Sequence, residues 1–145
     1  MQEYVMGNGA IALGALAAGV NLVSGYPGTP SSEIVETISK YPHDGVHLEW
    51  SVNEKAAMEV AASGGARTMV TMKQVGLNVA ADPLMSLAYV GVKGGMVVVS
   101  ADDPGPISSQ TEQDTRRFAD FARIPVFDPS SPEEAYEMIQ DAFSY

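Results

Sequence analysis

The chain of 145 residues carries a formal net charge of −10, from 18 acidic and 8 basic side chains. This length indicates one domain, and the acidic balance argues against nucleic acid or an anionic membrane as a partner. Hydrophobic residues make up 46%, which argues against intrinsic disorder. The absence of cysteine excludes disulfides, thiolate zinc sites and an iron–sulfur cluster bound by this chain. It also fits a reducing, cytoplasmic location.

Short β-type runs alternate with longer helical runs along the chain. The predicted strands are residues 21–24, 46–50, 68–72, 96–100 and 126–127, and the predicted helices are residues 10–18, 32–39, 53–62, 79–90, 112–122 and 132–143. Residues 97–99 are apolar without alternation, which is typical of a strand covered on both faces. The alternation therefore predicts an α/β fold with three α/β/α layers and a mostly parallel sheet.

Three loops at the predicted carboxyl ends of strands carry candidate site residues, because open parallel sheets bind ligands at that edge. The first loop, residues 25–32, reads Gly-Tyr-Pro-Gly-Thr-Pro-Ser-Ser. Its glycines and prolines fix a turn that places hydroxyl groups at a helix start. Such a turn suits a carboxylate or carbonyl ligand, although an ordinary strand–helix loop with a hydroxyl cap has the same composition.

The second and third loops carry a carboxyl group and a glycine. In the second loop Glu54 begins a helix of small apolar residues, a setting that suits proton exchange. The alternative is a first-turn glutamate stabilised by the helix dipole. In the third loop, residues 72–79, Gly76 would let the backbone approach a ligand closely. The longest irregular stretch, residues 101–111, follows the fourth strand and is a candidate functional rim.

Metal, hydrolase and phosphate-loop motifs are absent from the sequence. The two histidines, His43 and His47, flank a turn and are interpreted as surface residues, so we expect no metal ligand. No Gly-x-Ser-x-Gly elbow occurs, and Gly7 and Gly9 lack the third glycine of a dinucleotide fingerprint.

Several motifs in order carry a family resemblance that spans nearly the whole chain. They are GYPGTPSSE at residues 25–33, EWSVNEK at 49–55, TMKQVGLNVAADP at 71–83 and ADDPG at 101–105, followed by SSQ at 108–110 and EQD at 112–114. Together they resemble the pyrimidine-binding domain of thiamine-diphosphate enzymes. More narrowly, they resemble the N-terminal part of the α subunit of indolepyruvate:ferredoxin oxidoreductases.

The resemblance implies the thiamine-diphosphate-binding (pyrimidine domain) fold and oxidative decarboxylation of aryl 2-oxoacids to acyl-coenzyme A, with reduction of ferredoxin. Glu54 matches the catalytic glutamate that hydrogen-bonds the aminopyrimidine ring nitrogen and stabilises the imino tautomer. Thr29, with Pro27 and Gly28, matches a turn that faces the thiazolium and the substrate. The loop that lines the aminopyrimidine pocket is matched by Val75, Gly76 and Asn78.

Departures from the family pattern predict an incomplete site. Gly9 stands where the family usually has glutamate, and residues 59–67 are about one helical turn shorter than in the family. The chain lacks the Gly-Asp-Gly…Asn motif of the diphosphate half. Magnesium and [4Fe-4S] clusters are therefore expected only in missing domains or a partner chain, and residues 1–145 are interpreted as one domain of a longer subunit.

The expected partners follow from the same resemblance. They are a diphosphate-binding domain of the same or another chain, a β subunit, ferredoxin, coenzyme A and a second copy in a homodimer. Two alternatives stay open: the pyrimidine subunit of a non-oxidative decarboxylase of the sulfopyruvate type, and a non-catalytic assembly domain. The WSVNEK and TMKQVGLN runs favour the oxidoreductase over the decarboxylase.

Overall fold

The computed structural model describes residues 4–63 and 65–145, and in this part of the chain four strands form one parallel sheet. The strands are β1 (Leu22–Gly25), β2 (His47–Trp50), β3 (Thr68–Lys73) and β4 (Met96–Ala101), in the spatial order β2-β1-β3-β4. The helices are α1 (Gly7–Ala17), α2 (Ser32–Ile38), α3 (Glu54–Ser63), α4 (Gln74–Val79), α5 (Ala81–Val90), α6 (Arg116–Ala122) and α7 (Pro132–Ser144).

Helices cover both faces of the sheet, so the predicted three-layer α/β/α architecture is confirmed. On one face α1, α2 and α7 pack against Val23 and Met69. On the other face α3, α4 and α5 pack against Val70 and Met72. Successive residues of β3 alternate between the two cores because strand side chains point to opposite faces. The first five residues of β3 are all buried, as the unbroken apolar run predicts.

The start of α7 follows the prediction from its sequence. The Ser131 hydroxyl accepts a hydrogen bond from the Glu134 N–H at 3.2 Å, and Pro132 occupies the first helical position. Ile139 and Phe143 are buried and lie on the face of α7 that packs against the core.

The close approach of α1 and α7 depends on a glycine. A Cβ on Gly14 would lie 2.6 Å from the Tyr136 carbonyl oxygen and would also collide with Ile139. Only a residue without a side chain therefore allows these two helices to pack at this distance.

The predicted strand at residues 126–127 is wrong. Val126 and Phe127 lie in an irregular segment between α6 and α7, and their side chains are 48% and 39% exposed. Pro125 and Pro129 enclose them, and neither proline can donate a hydrogen bond to a sheet ladder. In the described residues β4 is therefore an edge strand.

Two helices have bounds that differ from the prediction. The predicted loop at residues 72–79 is instead the end of β3 followed by the short helix α4. A break at Ala80 separates α4 from α5, which is the helix predicted at residues 79–90. The helix predicted at residues 112–122 begins only at Arg116. Glu112 instead accepts from the Gly105 N–H within the preceding loop, and the Asp114 carboxylate accepts from the N–H of Arg116 at the helix start.

The shortened stretch at residues 59–67 lies at the end of α3, which ends at Ser63. Gly64, within that stretch, is outside the described residues. No helix within residues 4–63 and 65–145 is both long and apolar enough to cross a bilayer.

Candidate functional site

The three predicted site loops begin side by side at one edge of the sheet. Gly25 ends β1 and is paired with Trp50 of β2 on one side and Thr71 of β3 on the other. The Ser51 N–H donates to the Gly25 carbonyl at 2.9 Å, which holds the second loop against the first. A Cβ on Gly25 would lie 2.9 Å from Thr71 Oγ1 and 3.3 Å from the Trp50 ring. The three candidate loops therefore follow the carboxyl ends of adjacent strands, as predicted.

Glu54 and Gly76 bring the second and third loops into contact. Glu54 is the first residue of α3, and its side chain lies on the surface of α4 at Gly76. A Cβ on Gly76 would be 2.6 Å from Glu54 Oε1 and 2.7 Å from its Cγ. Gly76 is buried and Glu54 is half-buried. In the described part of the chain, the Glu54 carboxylate has no hydrogen-bond or ion-pair partner, which leaves it available to a ligand.

A hydrogen bond at the start of α3 fixes the direction from which Glu54 approaches Gly76. The Asn53 side-chain oxygen accepts from the Ala56 N–H at 2.8 Å. This capping bond satisfies one backbone donor of the first turn, so the position of Glu54 is set by the local sequence as well as by packing on α4.

The turn after β1 is braced by its own hydroxyl groups. The Gly28 N–H donates to Ser32 Oγ at 2.7 Å, and Ser31 Oγ donates to the Gly28 carbonyl at 2.8 Å. Asn8 of α1 donates to the Pro30 carbonyl at 2.7 Å. The hydroxyl cap considered for this helix start does not form, since Ser31 makes no side-chain capping bond to α2. Its hydroxyl stabilises the turn instead.

Thr29 and Pro27 lie on the outside of this turn. Both residues are exposed, and the Thr29 hydroxyl makes no hydrogen bond with any residue that the structure describes. A rigid turn with a free hydroxyl group is suited to hydrogen-bonding a ligand.

Lys73 lies beside the first candidate loop, and the sequence interpretation did not single it out. A Cβ on Gly28 would lie 3.0 Å from Lys73 Cδ and 3.3 Å from its Cγ, so the lysine stem packs along the turn that carries Thr29. Lys73 is half-buried, and its ammonium has no partner among residues 4–63 and 65–145. Its charge was the available signal, because Lys73 is the one basic residue in segment 72–79.

Buried polar groups without partners lie next to Lys73. Gln74 is fully buried, and its Nε2 donates to the Thr111 carbonyl at 3.0 Å. Its Oε1, like the hydroxyl of Thr71, is buried with no hydrogen-bond partner in the described residues. Leaving such groups unsatisfied is costly, so they mark positions where a ligand or water would be stabilising.

The long loop after β4 is ordered by the carboxylate of Asp103. It accepts from the Ser108 and Ser109 N–H groups at 3.0 Å each and from the Ile107 N–H at 3.2 Å. These hydrogen bonds, that from the Ser108 N–H foremost, lower the pKa of Asp103 to about 2. The Ser108 hydroxyl also lies 3.4 Å from the Thr29 carbonyl oxygen. The expected rim loop therefore contacts the first site loop.

The remaining predicted site residues, Val75 and Asn78, lie on α4 on either side of Gly76. Val75 is half-buried and Asn78 is exposed. The structure thus joins Glu54 to Gly76 on α4, but no described hydrogen bond joins Asn78 to Glu54. Within the described residues, no group of three or more His, Asp or Glu side chains is arranged to hold a metal ion.

Comparison with protein families gives one match that covers most of the chain. Residues 13–145 match the model described as "Pyruvate flavodoxin/ferredoxin oxidoreductase, thiamine diP-bdg". The chain is 52% identical over 143 residues to indolepyruvate oxidoreductase subunit IorA of Pyrococcus abyssi, covering 96% of this chain and 22% of the relative. It is 50% identical to the subunit of the same name from Methanothermobacter marburgensis, covering 97% of this chain and 23% of the relative.

A solved structure shows the same fold. The 2-oxoglutarate:ferredoxin oxidoreductase from Magnetococcus marinus, with 2-oxoglutarate, coenzyme A and succinyl-CoA bound, aligns with a TM-score of 0.74 and 20% sequence identity. The alignment covers 96% of this chain and 26% of that chain. This chain therefore spans about a quarter or less of the length of each of these three proteins.

Proposed function

Because the chain belongs to the pyruvate flavodoxin/ferredoxin oxidoreductase family of thiamine-diphosphate-binding domains, we propose that it provides the aminopyrimidine half of a thiamine-diphosphate site. The complete enzyme would be an indolepyruvate:ferredoxin oxidoreductase that forms acyl-coenzyme A from an aryl 2-oxoacid. Identity of 52% and 50% to two indolepyruvate oxidoreductase subunits supports this substrate class.

The observation that carries the proposal is the partnerless Glu54 carboxylate held against Gly76. The missing side chain at Gly76 lets the Glu54 carboxyl group lie close against α4. A carboxyl group held there without a partner can exchange a proton with a ring nitrogen. The residues present therefore fit an aminopyrimidine. Thiamine diphosphate, when bound, supplies the electron sink for decarboxylation of a 2-oxoacid.

Each group of this chain has a separate role in the proposal. Glu54 holds or releases a proton at its carboxyl oxygen, and the Gly76 backbone, with Val75 and Asn78, lines the ring-binding surface. Thr29 hydrogen-bonds the reacting end of the substrate from the rigid turn that Pro27 and Gly28 form.

Lys73 supplies the positive charge on the substrate side of the site. Its stem is anchored on Gly28 and its ammonium has no partner among the described residues. A 2-oxoacid brings a carboxylate, and a cation in a partly desolvated site attracts it more strongly than in water. The formal net charge of −10 repels an anionic substrate, so a positive charge at the site offsets this repulsion locally.

The other half of the site is proposed to come from outside this chain. The edge that carries Glu54 and Thr29 also exposes the apolar side chains of Tyr26, Trp50 and Val52, and an apolar rim favours contact with a protein surface. We assign this edge to a diphosphate-binding domain, of the same subunit or of another chain, that brings magnesium. Iron–sulfur clusters, the contacts to ferredoxin and coenzyme A, the β subunit and the dimer contacts belong to the complete assembly.

Substitution of Glu54 in the complete oxidoreductase tests the proposal. Glu54→Gln should abolish indolepyruvate-dependent reduction of ferredoxin or viologen, while Glu59→Gln, on the exposed side of the same helix, should leave it unchanged. Undiminished turnover in Glu54→Gln would refute the role of Glu54. Release of an aldehyde without electron transfer by the wild-type enzyme would favour the decarboxylase alternative, and absence of both reactions would favour an assembly domain.

A further inference from the structure

The loop after β4 bridges the two parts of the candidate site. Near its middle, the Ser108 hydroxyl lies 3.4 Å from the Thr29 carbonyl oxygen. At its far end, the Thr111 carbonyl accepts from buried Gln74 at 3.0 Å. Thr29 belongs to the first site loop, and Gln74 precedes Gly76 by two residues on α4. One segment therefore contacts both the substrate turn and the helix that supports Glu54.

The carboxylate of Asp103 holds the part of this segment that reaches Thr29. It accepts from three consecutive backbone N–H groups, of Ile107, Ser108 and Ser109. The single proton of the Ser108 hydroxyl is shared between the Asp103 carboxylate at 3.3 Å and the Thr29 carbonyl at 3.4 Å. Hydrogen bonds to an ionised acceptor are about twice as strong as those between neutral groups. Among the described residues, no other side chain accepts a hydrogen bond from the backbone of residues 107–109, so Asp103 is the side chain that orders this backbone.

Neighbouring carboxylates hold the rest of the loop but do not contact Thr29. Asp102 accepts from the Thr115 N–H at 3.0 Å and from its hydroxyl at 2.7 Å, and Glu112 accepts from the Gly105 N–H at 3.1 Å. These bonds close the base of the loop. Only the Asp103 interactions lead directly to Ser108 and from there to the turn of Thr29.

We propose that Asp103 is a positioning residue for the substrate side of the site, acting through Ser108 on the turn that presents Thr29. The inference rests on the proposed function, since it assigns Thr29 to the substrate.

The test is a double-mutant cycle in the complete oxidoreductase with indolepyruvate as substrate. Asp103→Asn should lower kcat/KM by about tenfold or more, because a charge-assisted network is lost. Most of this loss should appear as a higher KM, and the Kd for thiamine diphosphate should stay within about twofold. Asp44→Asn is the matched control, since Asp44 is exposed and lies in a turn far from this loop in sequence.

Coupling to Thr29 separates positioning from a structural effect. In a Thr29→Ala background, Asp103→Asn should have a much smaller effect on KM than in the wild-type enzyme. The proposal would be overturned if the KM change of the double variant equalled the product of the two single-variant changes. Equal kinetics of Asp103→Asn and Asp44→Asn would overturn it as well. If Asp103→Asn fails to fold, Ser108→Ala replaces it, and an unchanged KM in Ser108→Ala contradicts the inference.

The failure of this inference is distinguishable from the failure of the proposed function. Glu54→Gln reports on the ring-binding half through loss of turnover, and Asp103→Asn reports on the substrate side through KM with Glu54 intact. Loss of turnover in Glu54→Gln together with unchanged KM in Asp103→Asn would remove only the role of Asp103.

Discussion

Glu54 lies directly on Gly76, and no side chain other than hydrogen fits at position 76 without displacing the carboxyl group. A Cβ there would be 2.6 Å from Glu54 Oε1 and 3.0 Å from its Cδ. The contact joins the first turn of α3 to α4, two helices that follow different strands. It holds the Glu54 carboxyl group against the backbone of α4.

Gly76→Ala tests this contact without removing the carboxyl group. The added methyl group should push Glu54 out of position and lower kcat of the complete enzyme by about 10–100-fold, because a displacement of about 1 Å can cost that much in rate. The control is Gly7→Ala, where a Cβ would meet nothing within 4 Å. Steady-state kinetics of the two variants gives the comparison, and equal kcat values would show that the contact does not position Glu54.

Replacement of Lys73 tests whether this side chain supplies the positive charge that attracts the substrate carboxylate. Lys73→Ala should raise KM for a 2-oxoacid by about 10–100-fold, since a hydrogen bond to a charged group contributes about 1.5–3 kcal/mol. Lys73→Arg should retain part of the affinity because it keeps the charge. The exposed Lys93 gives the control, Lys93→Ala. A KM that is insensitive to the charge at position 73 would exclude the lysine from substrate binding.

The packing of α1 on α7 predicts a change in stability that is separate from the site. Gly14→Ala places a methyl group 2.6 Å from the Tyr136 carbonyl oxygen and should destabilise the protein by about 1–3 kcal/mol, as overpacking of a core does. Thermal unfolding of the complete protein measures the effect, with Gly7→Ala on the same helix as control. A melting temperature equal to that of the control would contradict this prediction, because it would show that α1 and α7 accommodate the methyl group without loss of stability.

The loop after β4 should respond to acid through Asp103. Its folded-state pKa is about 2, below the ordinary aspartate value of 3.8, so the stabilising hydrogen bonds are fully present above about pH 4 and are lost as pH falls through about 2. The amide signals of Ile107, Ser108 and Ser109 should titrate together with that low midpoint in an NMR experiment. They should lose this titration in Asp103→Asn, and a midpoint near 3.8 in the wild-type protein would contradict the observed network.

The sequence predicted the parts of the fold that depend on local pattern. Residues 68–72 read as a strand buried on both faces, and the structure has β3 there with both cores packed against it. Residues 126–127 also have a β-type composition, which wrongly predicted a strand. The flanking prolines lack the N–H donors that a sheet ladder needs. Helix α4 was predicted as a loop, because it is only six residues long and contains Gly76, which has a low helix propensity.

The candidate site was predictable only as far as its residues lie in contiguous motifs. Glu54 and Gly76 were named from two different loops, and the structure places them in contact. The packing of Lys73 on Gly28 and the reach of Ser108 to Thr29 depend on the distances between loops in space. No spacing along the chain contains that information, so these residues emerged only from the structure.

Proton exchange at the cofactor tests the central claim most directly. The measurement is the rate at which the C2 proton of bound thiamine diphosphate exchanges for deuterium in the complete enzyme, followed by NMR after acid quench. The account predicts that Glu54→Gln slows this exchange by about 100-fold or more, within the range of a general acid–base contribution, while Glu59→Gln exchanges at the wild-type rate. Equal exchange rates in wild-type enzyme and Glu54→Gln would contradict the account.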